Sequence, residues 1–95
     1  MTPEGKVKEK IVKFLDSIPN LVRESRQAGG WNYKKGRPDF WFLYNGTHYE
    51  VEVKAPGGHP SALQLINEAK YKAAGAVYWR GESAVDFINW FIEKI

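Results

Sequence analysis

Apolar residues recur at helical spacing early in the chain, at Val7, Ile11, Phe14, Leu15 and Ile18, while Lys6, Lys10 and Lys13 fall off the stripe. The pattern predicts a helix over about residues 3–16, with Thr2 as N-cap, Pro3 at the first helical position and Pro19-Asn20 ending it. Between 20 and 37 the pattern is weaker. Residues 21–23 and 30–33 are the candidates for a short strand, with Gly29-Gly30 as a break between them. Two apolar-aromatic segments then flank Asn45-Gly46, a dipeptide suited to a two-residue type I′ loop because both of its residues tolerate positive φ. This predicts a hairpin with strands at about 39–44 and 47–54. Ala55-Pro56-Gly57-Gly58-His59-Pro60 cannot continue a strand. Ser61 and Gln64 have capping-box spacing and open a second helix that runs to about Ala74, with Gly75 as its C-terminal cap. Residues 76–79 read as a buried strand. Ser83 and Asp86 open a third helix that turns Phe87, Ile88, Phe91, Ile92 and Ile95 to the core. The order α-β-β-β-α-β-α, without repeats, predicts an α/β domain spanning residues 1–95, with a mixed sheet flanked by helices.

The hairpin register carries chemistry. A two-residue loop pairs Tyr44 with Thr47, Phe42 with Tyr49 and Phe40 with Val51, and one step further it sets Asp39 opposite Glu52. Asp39, Trp41, Glu50, Glu52 and Lys54 then share one face, and Phe40, Phe42, Tyr49, Val51 and Val53 the other. A four-residue loop keeps this arrangement, whereas a three-residue loop separates the carboxylates onto opposite faces. Like charges facing across a sheet, with Cβ atoms about 5 Å apart, repel. A divalent cation between them converts the conflict into a site. Mg²⁺ suits such a pair, because it keeps several waters and needs only one or two carboxylates where a substrate phosphate completes its shell. Lys54 projects from the same face about 6.6 Å beyond Glu52. From there it can position a water or offset transition-state charge. Glu50, opposite Trp41 and farther from Asp39, reads as a solvated edge residue, with a supporting partner of the site as the alternative.

Composition narrows the class. With 95 residues, 43% hydrophobic and 15% aromatic, the chain is globular, and it has no apolar run of transmembrane length and no signal-peptide core. Zero cysteines exclude disulfides, thiolate metal sites and a cysteine nucleophile, and the expected compartment is the cytoplasm. The net charge of +3 is mild, but Arg23, Arg26, Lys34, Lys35 and Arg37 cluster around Trp31 and Tyr33 just ahead of Asp39. That segment suits a polyanion such as DNA. A DNA-binding module without catalysis would also keep this segment, yet would not need Asp39, Glu52 and Lys54 together. His48 and His59 lack partners spaced as in a zinc site.

Gly36-Arg37-Pro38-Asp39-Phe40, the strand Glu50-Val51-Glu52-Val53-Lys54 with its following Ala55-Pro56-Gly57, and the helix start Ser61-Ala62-Leu63-Gln64 resemble the PD-(D/E)XK nuclease superfamily, and more narrowly a small stand-alone VRR-NUC domain of phages and bacteria. Thr2-Pro3-Glu4-Gly5-Lys6-Val7 resembles the first helix of that family, and Ala73-Ala74-Gly75-Ala76 the glycine before its next strand. The Val-Arg-Arg string that names the family is absent; Val77-Tyr78-Trp79-Arg80 stands near its expected place. The resemblance implies a restriction-endonuclease-like core and a Mg²⁺- or Mn²⁺-dependent endonuclease. It implies Asp39, Glu52 and the Val53 carbonyl as metal ligands, with Glu4 as an additional candidate, and Lys54 and Gln64 as catalytic partners. Branched DNA such as Holliday junctions or flaps as substrate, and a homodimer as the acting form, are likewise implied by the family and the small size.

Overall fold

The computed structural model describes residues 1–26 and 35–95. The expected strand at 30–33, and with it Trp31, Tyr33 and Lys34, lies outside the described residues. The elements run α1 (Pro3–Asp16), β1 (Leu21–Ser25), β2 (Phe40–Tyr44), β3 (Thr47–Val53), α2 (Ala62–Ala73), β4 (Val77–Gly81) and α3 (Ala84–Lys94). They follow the order read from the sequence.

Local chemistry fixes the ends. The Thr2 hydroxyl accepts the Gly5 N–H, and Pro3 occupies the first position of α1. Ser61 and Gln64 form both halves of a capping box on α2. At its far end the Gly75 and Ala76 N–H groups return to the Lys72 and Tyr71 carbonyls, the bond pair of a Schellman motif.

Asn45 and Gly46 both have positive φ, 51° and 80°, as a type I′ loop requires. The β2–β3 register is accordingly Tyr44↔Thr47, Phe42↔Tyr49 and Phe40↔Val51. The sheet has strand order β1-β2-β3-β4. β1, β2 and β3 pair antiparallel, and β4 joins β3 in parallel, with Glu50 beside Tyr78 and Glu52 beside Arg80.

One sheet face makes the core. Phe40, Phe42, Tyr49, Val51, Val53 and Trp79 pack there against Ile11 and Leu15 of α1 and against Ala84, Phe87 and Phe91 of α3. The Phe42 and Tyr49 rings stack with centroids 4.5 Å apart, and Phe91 meets both edge-on. Two expectations for α3 change: Ile92 and Ile95 are 55% and 61% exposed. The buried stripe of this helix is Ala84, Phe87 and Phe91, so Ile92 lies about 100° round from Phe91, and Ile95 caps the end of the helix. β4 also differs, for it runs to Gly81 and only Trp79 is buried, as fits an edge strand.

α2 lies over the other face and has no buried residue. Polar contacts tie it to the sheet: Glu68 bonds Arg80, Gln64 bonds Lys54, and the Tyr71 ring lies 5.4 Å from the Arg26 guanidinium. Among the described residues, no helix is long and apolar enough to cross a membrane.

Candidate metal centre

The N-terminal end of β2, the C-terminal end of β3 and the first turn of α1 meet at one place. There Glu4, Asp39 and Glu52 each bring one carboxylate oxygen to within 4.8 Å of the others. Asp39 stands one residue outside β2, where its N–H donates to the Val51 carbonyl (2.9 Å) and its Oδ2 accepts the Val53 N–H (2.7 Å). It therefore closes the strand entry and faces Glu52 in the same geometry. Glu4, 35 residues away from Asp39 in sequence, is delivered by the capped first turn of α1.

Glu52 is almost completely buried, and its Oε1 has no hydrogen-bond partner among the described residues. Burial pushes its carboxyl up to about 8, with the Asp39 charge adding to the rise and Lys54, 3.9 Å away, working against it. A buried, unpartnered oxygen beside two more carboxylates lacks positive charge. The donor set is all oxygen, which fits a hard cation such as Mg²⁺ or Mn²⁺. Lys54 N–H donates to the Gly81 carbonyl on β4. In an extended strand the preceding carbonyl points the other way, so the Val53 carbonyl is directed toward the Asp39 side.

The Lys54 ammonium is 2.6 Å from Gln64 Oε1, and that same oxygen accepts the Ser61 N–H at 2.9 Å. The capping residue of α2 thus also orients the lysine.

The basic residues separate. Lys35 and Arg37 line a cleft beside α2. Arg23 instead forms a two-bond pair with Asp16 at the end of α1. Arg26 is tied to Glu50 by two bonds of 2.5 and 3.0 Å and also donates to the Pro38 carbonyl. The reading of Glu50 as a solvated edge residue is corrected: it is 0% exposed, and His48, stacked on Trp41, contacts its second oxygen. Arg26 and Glu50 lie 24 residues apart, and no local pattern in the sequence joins them.

The raised Glu52 carboxyl predicts a pH dependence. In EDTA, the folded protein keeps this proton up to about pH 8, whereas the unfolded chain releases it near 4.5. The folded state therefore binds more protons across that window, and stability falls as pH rises through it, by up to roughly 1 kcal/mol per pH unit. Asp16 and Glu68, lowered by their Arg23, Lys72 and Arg80 partners, act below that window instead. Denaturant midpoints from pH 5 to 8 should decline in the wild type and lie flat in Glu52→Gln; a rising wild-type curve would contradict the assignment.

No family model matches the sequence. Among solved structures, a chain described as a VRR_NUC domain superposes with a TM-score of 0.78, covering 98% of this chain and 97% of its own, at 23% identity. The chain has the VRR_NUC fold. Among curated proteins it is 31% identical over 64 residues, 67% of its length, to the sulfate adenylyltransferase subunit 2 of Streptomyces lavendulae. It spans about 15% of the length of that relative. On the VRR_NUC fold, the three carboxylates stand where the hairpin and α1 converge, and α2 presents Gln64 to them through Lys54.

Proposed function

We propose that this chain is a divalent-metal-dependent endonuclease that hydrolyses DNA phosphodiester bonds, selective for branched structures such as Holliday junctions or flaps and acting in the cytoplasm as a homodimer. The observation that carries the reading is the convergence of Glu4, Asp39 and Glu52, with the unpartnered Glu52 oxygen, beside Lys54. The VRR_NUC fold supports nuclease chemistry. Selectivity and the dimer rest on the small size of the domain, since one copy contacts little duplex and two copies present two sites.

Asp39, Glu52, Glu4 and the Val53 carbonyl would hold Mg²⁺ or Mn²⁺. Bound there, the ion would supply Lewis-acid activation of water and relief of charge on the phosphate. The protein's own groups do the rest. Lys54, braced by Gln64 and 3.9 Å from Glu52, would direct its ammonium at the attacking water and the phosphate oxygens. In this reading Lys54 acts on the charge that develops at the phosphate. Gln64 uses its oxygen on Lys54 and on the helix cap, which leaves its amide nitrogen as a donor toward phosphate. The N-terminus of α2 attracts the same anion.

The test is cleavage of a labelled four-way junction, a flap, a linear duplex and a single strand in Mg²⁺, Mn²⁺ or EDTA, with Asp39→Ala and Lys54→Ala alongside the wild type. Metal-dependent cleavage absent from both variants is expected, with the branched substrates cut fastest. Salt-sensitive binding without cleavage would replace the reading with a catalytically silent DNA-binding module. Unchanged cleavage in the variants would place the activity elsewhere.

A further inference from the structure

A cleft of about 510 Å³ opens between the Lys35–Arg37 loop and one face of α2, and the carboxylate cluster does not use it. Leu63, Asn67, Lys70, Tyr71 and Ala74 form its helical wall, at spacings of four, seven, eight and eleven from Leu63, one continuous helix face. Among the described residues, Lys35, Arg37 and Lys70 bring positive charge to it and no carboxylate lines it. Tyr71 and Leu63 add aromatic and apolar surface.

The loop wall is built to a fixed separation. Gly36 has φ +81°, and a Cβ placed on it would lie 2.6 Å from Leu63 Cγ and 2.8 Å from Asn67 Nδ2. Only glycine allows that approach. Asn67 is itself anchored by donating to the Leu63 carbonyl. Tyr71 is braced by Arg26, whose guanidinium lies 5.4 Å from the ring centroid and which Glu50 holds in turn.

The cleft also adjoins the site. Arg37 precedes Asp39 by two residues, and Leu63 is next to Gln64. From Gln64 to Ala74 the helix rises about 15 Å. The volume falls in the range of single small-molecule pockets, about 300–1,000 Å³, and so admits roughly one or two nucleotides but not both strands of a duplex. Cations beside an aromatic and apolar wall match the backbone and base faces of an unpaired strand.

We propose that this cleft is a subsite for unpaired nucleic acid leading away from the scissile position. The subsite deepens the nuclease reading and rests on it only for the direction of the strand. The enzyme then prefers junctions that carry a free single strand over continuous duplex.

Fluorescence anisotropy in EDTA separates binding from turnover. The probes are a blunt duplex and the same duplex carrying a 5′ or a 3′ single-stranded tail. Wild type should bind one tailed form about tenfold more tightly than the blunt form, and Lys70→Glu should remove most of that advantage and lower the salt slope for the tailed probe by about one. Lys10→Glu, exposed on α1 over the opposite sheet face, makes the same change in net charge and should leave the tail advantage in place. Lys70→Gln, which only removes the charge, should show a smaller loss in the same direction. No tail advantage in wild type, or equal loss in Lys70→Glu and Lys10→Glu, overturns the subsite whatever the cleavage assay gives. A Lys70-dependent tail advantage without metal-dependent cleavage would keep the subsite and remove the nuclease.

Discussion

Asp39→Asn should lower metal-dependent cleavage by about 10³-fold or more, on the order of 4 kcal/mol of transition-state stabilisation, without lowering stability. The two effects separate for a structural reason. The Asp39 carboxylate accepts the Val53 N–H at 2.7 Å, and an asparagine oxygen keeps that bond and the strand entry it closes. The substitution also removes one of the crowded charges that raise the Glu52 carboxyl, which stabilises the metal-free protein near neutral pH. Thermal melts in EDTA should therefore show the variant equal to or above the wild type. Added Mg²⁺ should raise the wild-type midpoint and leave that of the variant where it was, because a ligand stabilises only the fold that binds it. A variant that both melts low and still cleaves would contradict the assignment.

Glu50→Ala is expected to have the largest effect on stability, about 3–5 kcal/mol. Glu50 is fully buried, and its two oxygens engage Arg26 and His48. Truncation leaves the Arg26 guanidinium, whose side chain is only 16% exposed, without its counter-charge. Folded domains are held by about 5–15 kcal/mol, so the loss removes a large share. Urea unfolding measures it directly. Replacing both partners with apolar residues of similar volume should recover most of the loss, because the expensive state is the unpaired charge. A loss under about 1 kcal/mol for Glu50→Ala would mean that water already reaches the pair.

Much of this was legible in the sequence, and the reason is local chemistry. Thr2-Pro3 places the start of α1 and Ser61 with Gln64 the start of α2, because caps act within one turn. Asn45-Gly46 sets the hairpin register, and the register sets which residues join Phe40 in the core and which join Glu52 at the site. What depended on contacts between distant segments was less legible. The Glu50–Arg26 pair spans β3 and the end of β1, and nothing near either residue in sequence announces it. The same limit made Arg23 and Arg26 look available to DNA when Asp16 and Glu50 hold them. Glu4 reached the candidate set through resemblance alone, since only the packing of α1 against the sheet brings it near Asp39. Ile92 and Ile95 fit a helical stripe, but periodicity does not show how wide an arc the sheet covers.

The oxygen of Gln64 serves two structures at once, the cap of α2 and the ammonium of Lys54. α2 buries none of its residues, so among the helices it has the least apolar packing to resist local opening. Fraying of its first turn releases the lysine while the aromatic core beneath the sheet stays intact. The readiness of the site is then governed by a sub-global equilibrium and not by the unfolding of the whole domain. Amide exchange in the first turn of α2 would report the fraction of molecules in which Gln64 holds Lys54.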